Sequence, residues 1–147
     1  MKTIMIIEDD YAVRLLFEEE LSNEGYSIIS SANGEEIMEI IGIREPDLIL
    51  LDIKFRGAEG FDLLHKIKSR HPLIPVVLCT AYEGLFQDMR SLAADGYVVK
   101  SSNLDPLKQE IDKVMRLNRR NAERDATLFP NAETGLGGEW VRTSSPL

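Results

Sequence analysis

The chain has 147 residues, of which 44% are hydrophobic and 29% charged, with a formal net charge of -8. That length suits one domain with a real core, the composition argues against disorder throughout, and the acidic balance disfavours non-specific nucleic-acid binding through a basic face. The single cysteine, Cys79, excludes an intrachain disulfide and a cysteine-based metal site; acids stand too early in MKTIMIIEDD for a signal peptide and no apolar run approaches the ~20 residues of a membrane helix, so a cytoplasmic protein without membrane contact is expected.

In chain order, TIMII (3 to 7) reads as a buried strand. The next run, YAVRLLFEEELSNEG (11 to 25), reads as a helix with Val13, Leu16, Phe17 and Leu21 on its core face and Gly25 as its stop. YSIIS (26 to 30) is a second strand. Asn33, with Glu36 three residues on, has the pattern of a capping box for a helix carrying Ile37, Ile40 and Ile41. DLILL (47 to 51) is a third strand, followed by a loop with Gly57 and Gly60 and a helix over FDLLHKIKSR (61 to 70). Pro72 and Pro75 bracket the connection into VVLCT (76 to 80), and a weaker helix is expected at about 85 to 94. YVVK (97 to 100) is the fifth strand, and a helix from about 104 places Leu104, Leu107, Ile111, Val114 and Met115 on one face. Strict alternation of strand and helix implies an α/β fold, a parallel sheet covered on both sides. Residues 118 to 147 differ in kind: NRRNAERD extends the last helix, and PNAETGLGGEWVRTSSPL has the composition of a flexible tail or linker. There are no internal repeats.

The strand ends carry the chemistry. In an open parallel sheet, ligands bind beyond the carboxyl ends of the strands. Glu8 and Asp9 follow strand one, Asp52 ends the LILLD run, Thr80 ends strand four and Lys100 ends strand five. Singly, each has a bland explanation: acids complementing a helix dipole, a β-forming threonine, a solvated lysine. Together they fall at the same end of separate strands. Carboxylates crowded at one edge repel one another, and a hard cation and a nearby ammonium relieve this. Magnesium suits a site of few carboxylates beside phosphate oxygens, and a carboxylate can attack phosphorus to form an acyl phosphate.

These residues, in the stretches IIEDDYAVR, LILLDIKFRGAEGFDLL, PVVLCTAY and GYVVKS, resemble the receiver domain of bacterial two-component response regulators. The resemblance covers about residues 2 to 117. It implies a doubly wound, flavodoxin-like five-stranded sheet in the order 2-1-3-4-5, with 1–117 as the receiver domain and 118–147 as a helical extension and tail. By position, Asp52 matches the phosphoacceptor, and Asp9 the acid that binds magnesium directly. Glu8 matches the acid that reaches the metal through water, and Lys54 offers the main-chain carbonyl ligand. Thr80 matches the switch hydroxyl, Tyr97 the aromatic that moves with it, and Lys100 the lysine that contacts the phosphoryl group. The implied function is a phosphorylation-switched signalling module, not an enzyme with external turnover. A sensor histidine kinase or phosphotransfer protein would supply its phosphoryl group, and a downstream protein would be its target. A homodimer through the segments 85–94, 97–100 and the last helix is one option; no direct nucleic-acid contact is implied for this chain.

Three departures from the family pattern stand out. Phe55 and Arg56 replace the usual Leu-Pro or Met-Pro after the phosphoacceptor, Thr80 and Lys100 are about two residues closer than expected, and Ser101 stands where proline with a cis bond is usual. Without proline, the Lys100–Ser101 bond is expected to be trans, because a non-proline cis bond costs roughly 2.5–4 kcal/mol. Two other functions compete. A phosphohydrolase of the haloacid-dehalogenase type also uses a strand-end aspartate with magnesium, but it requires a second aspartate where Lys54 stands. A constitutive binding module would carry the same acids as relics.

Overall fold

The apolar runs at the centre of the sheet become strands that are dry on both faces. The computed structural model describes residues 1–32, 36–53, 59–81 and 94–128. The strands are β1 (Thr3–Ile7), β2 (Ser27–Ser31), β3 (Leu48–Asp52), β4 (Val76–Thr80) and β5 (Gly96–Val99); the described helices are α1 (Tyr11–Asn23), α2 (Ile37–Arg44), α3 (Glu59–Arg70) and α4 (Asp105–Leu128). All strand pairs are parallel and the order is β2-β1-β3-β4-β5, the doubly wound, flavodoxin-like arrangement expected. The central strands β1, β3 and β4 are almost wholly buried, whereas every residue of the edge strand β2 is half-buried.

Alternation along the strands sorts the core into two layers. Ile4, Ile6, Leu48 and Leu50 meet Phe17 and Leu21 of α1 and Leu107, Ile111 and Val114 of α4 on one face. Met5, Ile7, Ile49 and Leu51 meet Ile37 and Ile41 of α2 and Leu64 and Ile67 of α3 on the other. Truncating one of these fully buried side chains to alanine costs about 2–5 kcal/mol, because the cavity left behind does not fully collapse.

Several local features differ from the pattern-based expectation. Leu16 is 42% exposed. The stripe that covers the sheet runs through positions 13, 17 and 21, four residues apart, and Leu16 lies about 100° round the helix from Phe17. Helix α1 ends as expected: Gly25 takes φ 96°, and its N–H reaches the Ser22 carbonyl at 3.0 Å. Helix α2 begins at Ile37 with Glu36 at its N-cap, and Glu36 makes no capping side-chain bond; Asn33 lies outside the described residues. The weak helix at 85–94 falls almost wholly outside them too, as do Lys54, Phe55 and Arg56. No cis peptide bond occurs among the described residues, so the Lys100–Ser101 bond is trans.

The chain divides into a unit of Met1–Met115 and a second of Arg116–Leu147. Of the second unit, residues up to Leu128 are described and are helical.

Candidate functional site

Register decides which strand ends meet. Ile7 lies opposite Leu51, Asp52 opposite Cys79 and Thr80 opposite Val99. One step beyond Ile7, Glu8 therefore leaves β1 beside Asp52 at the end of β3. The backbone there is tied down from both directions: the Glu8 N–H donates to the Ser31 carbonyl at 3.1 Å, and the Asp10 carboxylate caps α1 by accepting from the Val13 N–H at 3.1 Å. On the far side, Gly60 in the first turn of α3 approaches the end of β3 so closely that a Cβ there would stand 2.8 Å from Ile53 Cδ1 and 3.3 Å from the Asp52 carbonyl oxygen. A larger residue there would push the Ile53 side chain aside and crowd the Asp52 carbonyl.

Glu8, Asp9 and Asp52 each place a carboxylate oxygen within 4.8 Å of the others. Lys100 reaches into the group from the end of β5, 2.5 Å from Glu8 Oε1 and 2.8 Å from Asp52 Oδ1. The Glu8 side chain is 1% exposed and that of Asp52 9%, whereas Asp9 is exposed. Lys100 thus serves two of the three carboxylates, and acid is in excess when all are ionised. Burial and this crowding both show in the protonation equilibria. Burial, with the neighbouring Asp52, pushes the Glu8 carboxyl up despite the opposing pull of Lys100. Burial alone would lower the Lys100 ammonium, but its hydrogen bonds and charge interactions with Asp52 and Glu8 outweigh that and raise it. A divalent cation fits both the donor chemistry, all hard oxygen, and the missing charge.

Two further expected residues lie on β4 and β5. Thr80 is fully buried at the end of β4, and its carbonyl accepts the Lys100 N–H at 2.5 Å. Tyr97 is half-buried on the α2–α3 layer of the core, opposite in alternation to Val98. Its hydroxyl lies 3.5 Å from the Ala94 carbonyl, its N–H donates to Glu110 Oε2 at 3.0 Å, and burial raises the phenol. Glu8, Asp9, Asp52 and Lys100 are thus brought together, with Thr80 tied to Lys100 through the backbone. Lys54 lies outside the described residues.

Sequence reasoning missed one participant. Arg14 Nη1 donates to the Glu8 carbonyl at 2.9 Å. The available signal was a basic residue one helical turn past the acidic triplet in EDDYAVR.

A family model for the response regulator receiver domain matches residues 4–112. The chain belongs to that family. It is a phosphorylation-switched signalling receiver. It is 33% identical over 116 residues to sporulation initiation phosphotransferase F of Bacillus subtilis, covering 78% of this chain and 94% of that protein. It is 31% identical to the DNA-binding transcriptional regulator NtrC of Escherichia coli over 80% of this chain, but spans only 24% of that longer protein. Among solved structures it is similar to the response regulator TrrA of Thermotoga maritima. In complex with Mg2+ and BeF, TrrA matches with 38% identity and a TM-score of 0.71 over 78% of this chain and 99% of that one. TrrA in complex with the histidine kinase ThkA matches with 39% identity and a TM-score of 0.70 over 78% and 98%. No helix among the described residues is long and apolar enough to cross a membrane.

Proposed function

We propose that this receiver accepts a single phosphoryl group on Asp52 from the phosphohistidine of a sensor kinase or phosphotransfer protein in the cytoplasm. The observation that carries the reading is the clustering of Glu8, Asp9 and Asp52 at the carboxyl edge of the sheet, with Lys100 on Glu8 and Asp52. A carboxylate oxygen of Asp52 attacks phosphorus, the bond from phosphorus to the donor's imidazole nitrogen breaks, and the imidazole departs with its electron pair and takes up a proton. Hydrolysis follows when water attacks the same phosphorus and frees the aspartate. Asp9 and Asp52, with the Lys54 carbonyl, would hold Mg2+, and Glu8 would reach it through water. Bound there, the ion supplies charge stabilisation to the phosphoryl oxygens. The TrrA complex with Mg2+ and BeF supports the same choice of metal, and the TrrA–ThkA complex supports a kinase as donor.

The chain's own groups do the rest. Lys100, already between Glu8 and Asp52, turns to the incoming phosphoryl group. Phosphorylation adds about -1.5 to -2 charges and three acceptor oxygens, and the Thr80 hydroxyl donates to one of them. Tyr97 follows the threonine, reshaping the face around β5 and α4 toward a downstream protein or a second copy. Catalysis is confined to the domain's own phosphorylation and dephosphorylation, with residues 1–117 as the receiver and 118–147 as a helical extension and tail.

Incubation with acetyl phosphate and Mg2+, followed by intact mass, tests the assignment. Wild type gains one phosphoryl group, Asp52→Asn gains none, and EDTA abolishes the gain. Equal labelling of Asp52→Asn, or labelling undiminished by EDTA, overturns it.

A further inference from the structure

The turn from β1 into α1 has to present two acids in different directions. Glu8 goes inward to Lys100 and Asp9 outward toward solvent. What fixes their relative direction is the peptide joining them, whose oxygen is the Glu8 carbonyl. β1 ends at Ile7, so this carbonyl lies one residue past the strand, and it accepts from a side chain: Arg14 Nη1 donates to it at 2.9 Å. Arg14 is half-buried, and its Cζ lies 5.5 Å from the centroid of the exposed Tyr11 ring. A planar guanidinium presents its donors in a fixed fork, unlike a lysine ammonium on a flexible stem.

We infer that Arg14 is a positioning residue for cation binding: by holding the Glu8 carbonyl it sets the Glu8–Asp9 peptide so that Asp9 and Asp52 face one another across the space a divalent cation takes. The inference rests on the proposed metal site and adds a residue to it. Arg14 acts through the direction of a backbone dipole that carries both acids, and its charge is secondary. Outer-shell partners of metal ligands commonly contribute 10–100-fold to affinity by such orientation.

The test uses the full chain and reads Mg2+ affinity by titration calorimetry in wild type, Arg14→Met and Arg14→Lys, with thermal unfolding of each in EDTA. Arg14→Met keeps a long apolar stem; Arg14→Lys keeps the charge and loses the fork. The expected result is about a 10–100-fold loss of Mg2+ affinity in both, melting temperatures in EDTA close to wild type, and an acetyl-phosphate labelling rate that recovers to the wild-type value at saturating Mg2+. Unchanged affinity in Arg14→Met overturns the inference, and so does wild-type affinity in Arg14→Lys, because the guanidinium fork would then be dispensable. If Arg14→Met does not fold, Arg14→Lys alone decides by the same criterion. Failure of the wild type to bind Mg2+ overturns the metal assignment beneath it, whereas wild-type binding with both variants unaltered overturns only the role of Arg14.

Discussion

The two ends of the sheet use the same residue types and do opposite things with them. At the amino end, each aspartate has backbone and cationic partners of its own. Asp47 accepts the Thr3 N–H at 2.7 Å with Lys2 at 4.0 Å, and Asp95 accepts the Val76 N–H at 2.8 Å with Lys68 at 3.0 Å. At the carboxyl end, Glu8 and Asp52 share the one ammonium of Lys100, and Asp9 brings a third carboxylate within 4.8 Å of them. The first arrangement gives each acid its own partners and holds strands in place. The second crowds acids at one point, which is the condition under which a cation gains from binding. An acidic residue beside a strand is therefore informative only when its counter-charges are counted.

The largest test of this contrast is removal of an amino-end acid. Asp95→Ala leaves the Val76 N–H and the Lys68 ammonium without their shared acceptor, and is expected to destabilise the protein by about 1–3 kcal/mol. Urea unfolding, with the m-value unchanged, measures it; a change within experimental error would mean the two ends are not distinguished by local pairing.

The next test probes how sharply the charged edge gives way to the dry interior. Cys79 lies opposite Asp52 in register yet is 1% exposed, and burial pushes its thiol up to about 12 from an ordinary 9.0. The unfolded chain thus releases this proton first. The thiol's contribution to stability is intact below about pH 9 and is lost as pH rises toward about 12, by at most about 1.4 kcal/mol per pH unit. Tyr97 and Lys100 shift upward as well and act with the same sign. The comparison of Cys79→Ala with wild type isolates the thiol: the variant's stability should fall less steeply with pH, and parallel curves would place Cys79 in a wetter environment than its burial indicates.

The smallest effect is expected at the carboxyl edge itself. Asp9→Asn removes one of the acids that would hold the cation, and in EDTA it should change stability by less than about 1 kcal/mol. In Mg2+ wild type gains binding energy that the variant forfeits. Thermal unfolding of both proteins with and without Mg2+ checks this; an equal rise in melting temperature with Mg2+ in both would mean that Asp9 does not hold the cation.

Much of this molecule is written in short-range patterns. Buried strands have to be apolar throughout, and helices between them have to repeat at about four residues, so the five strands, their parallel arrangement and the stop at Gly25 are legible without coordinates. Strand-end charge is equally visible, because a carboxylate such as Asp52 at the end of LILLD contradicts its neighbours' burial. Other features depend on contacts between residues far apart in the chain. Lys100 stands 92 positions from Glu8, and nothing local says that it grips Glu8 and Asp52 together while Lys68 turns to Asp95. Leu16 reads as core until the axis of α1 over the sheet turns it outward. Local pattern determines which elements form and which face of each is dry; only the register of β1, β3 and β5 brings the unlike charges to one point, because a parallel sheet gathers the ends of strands that the chain keeps apart.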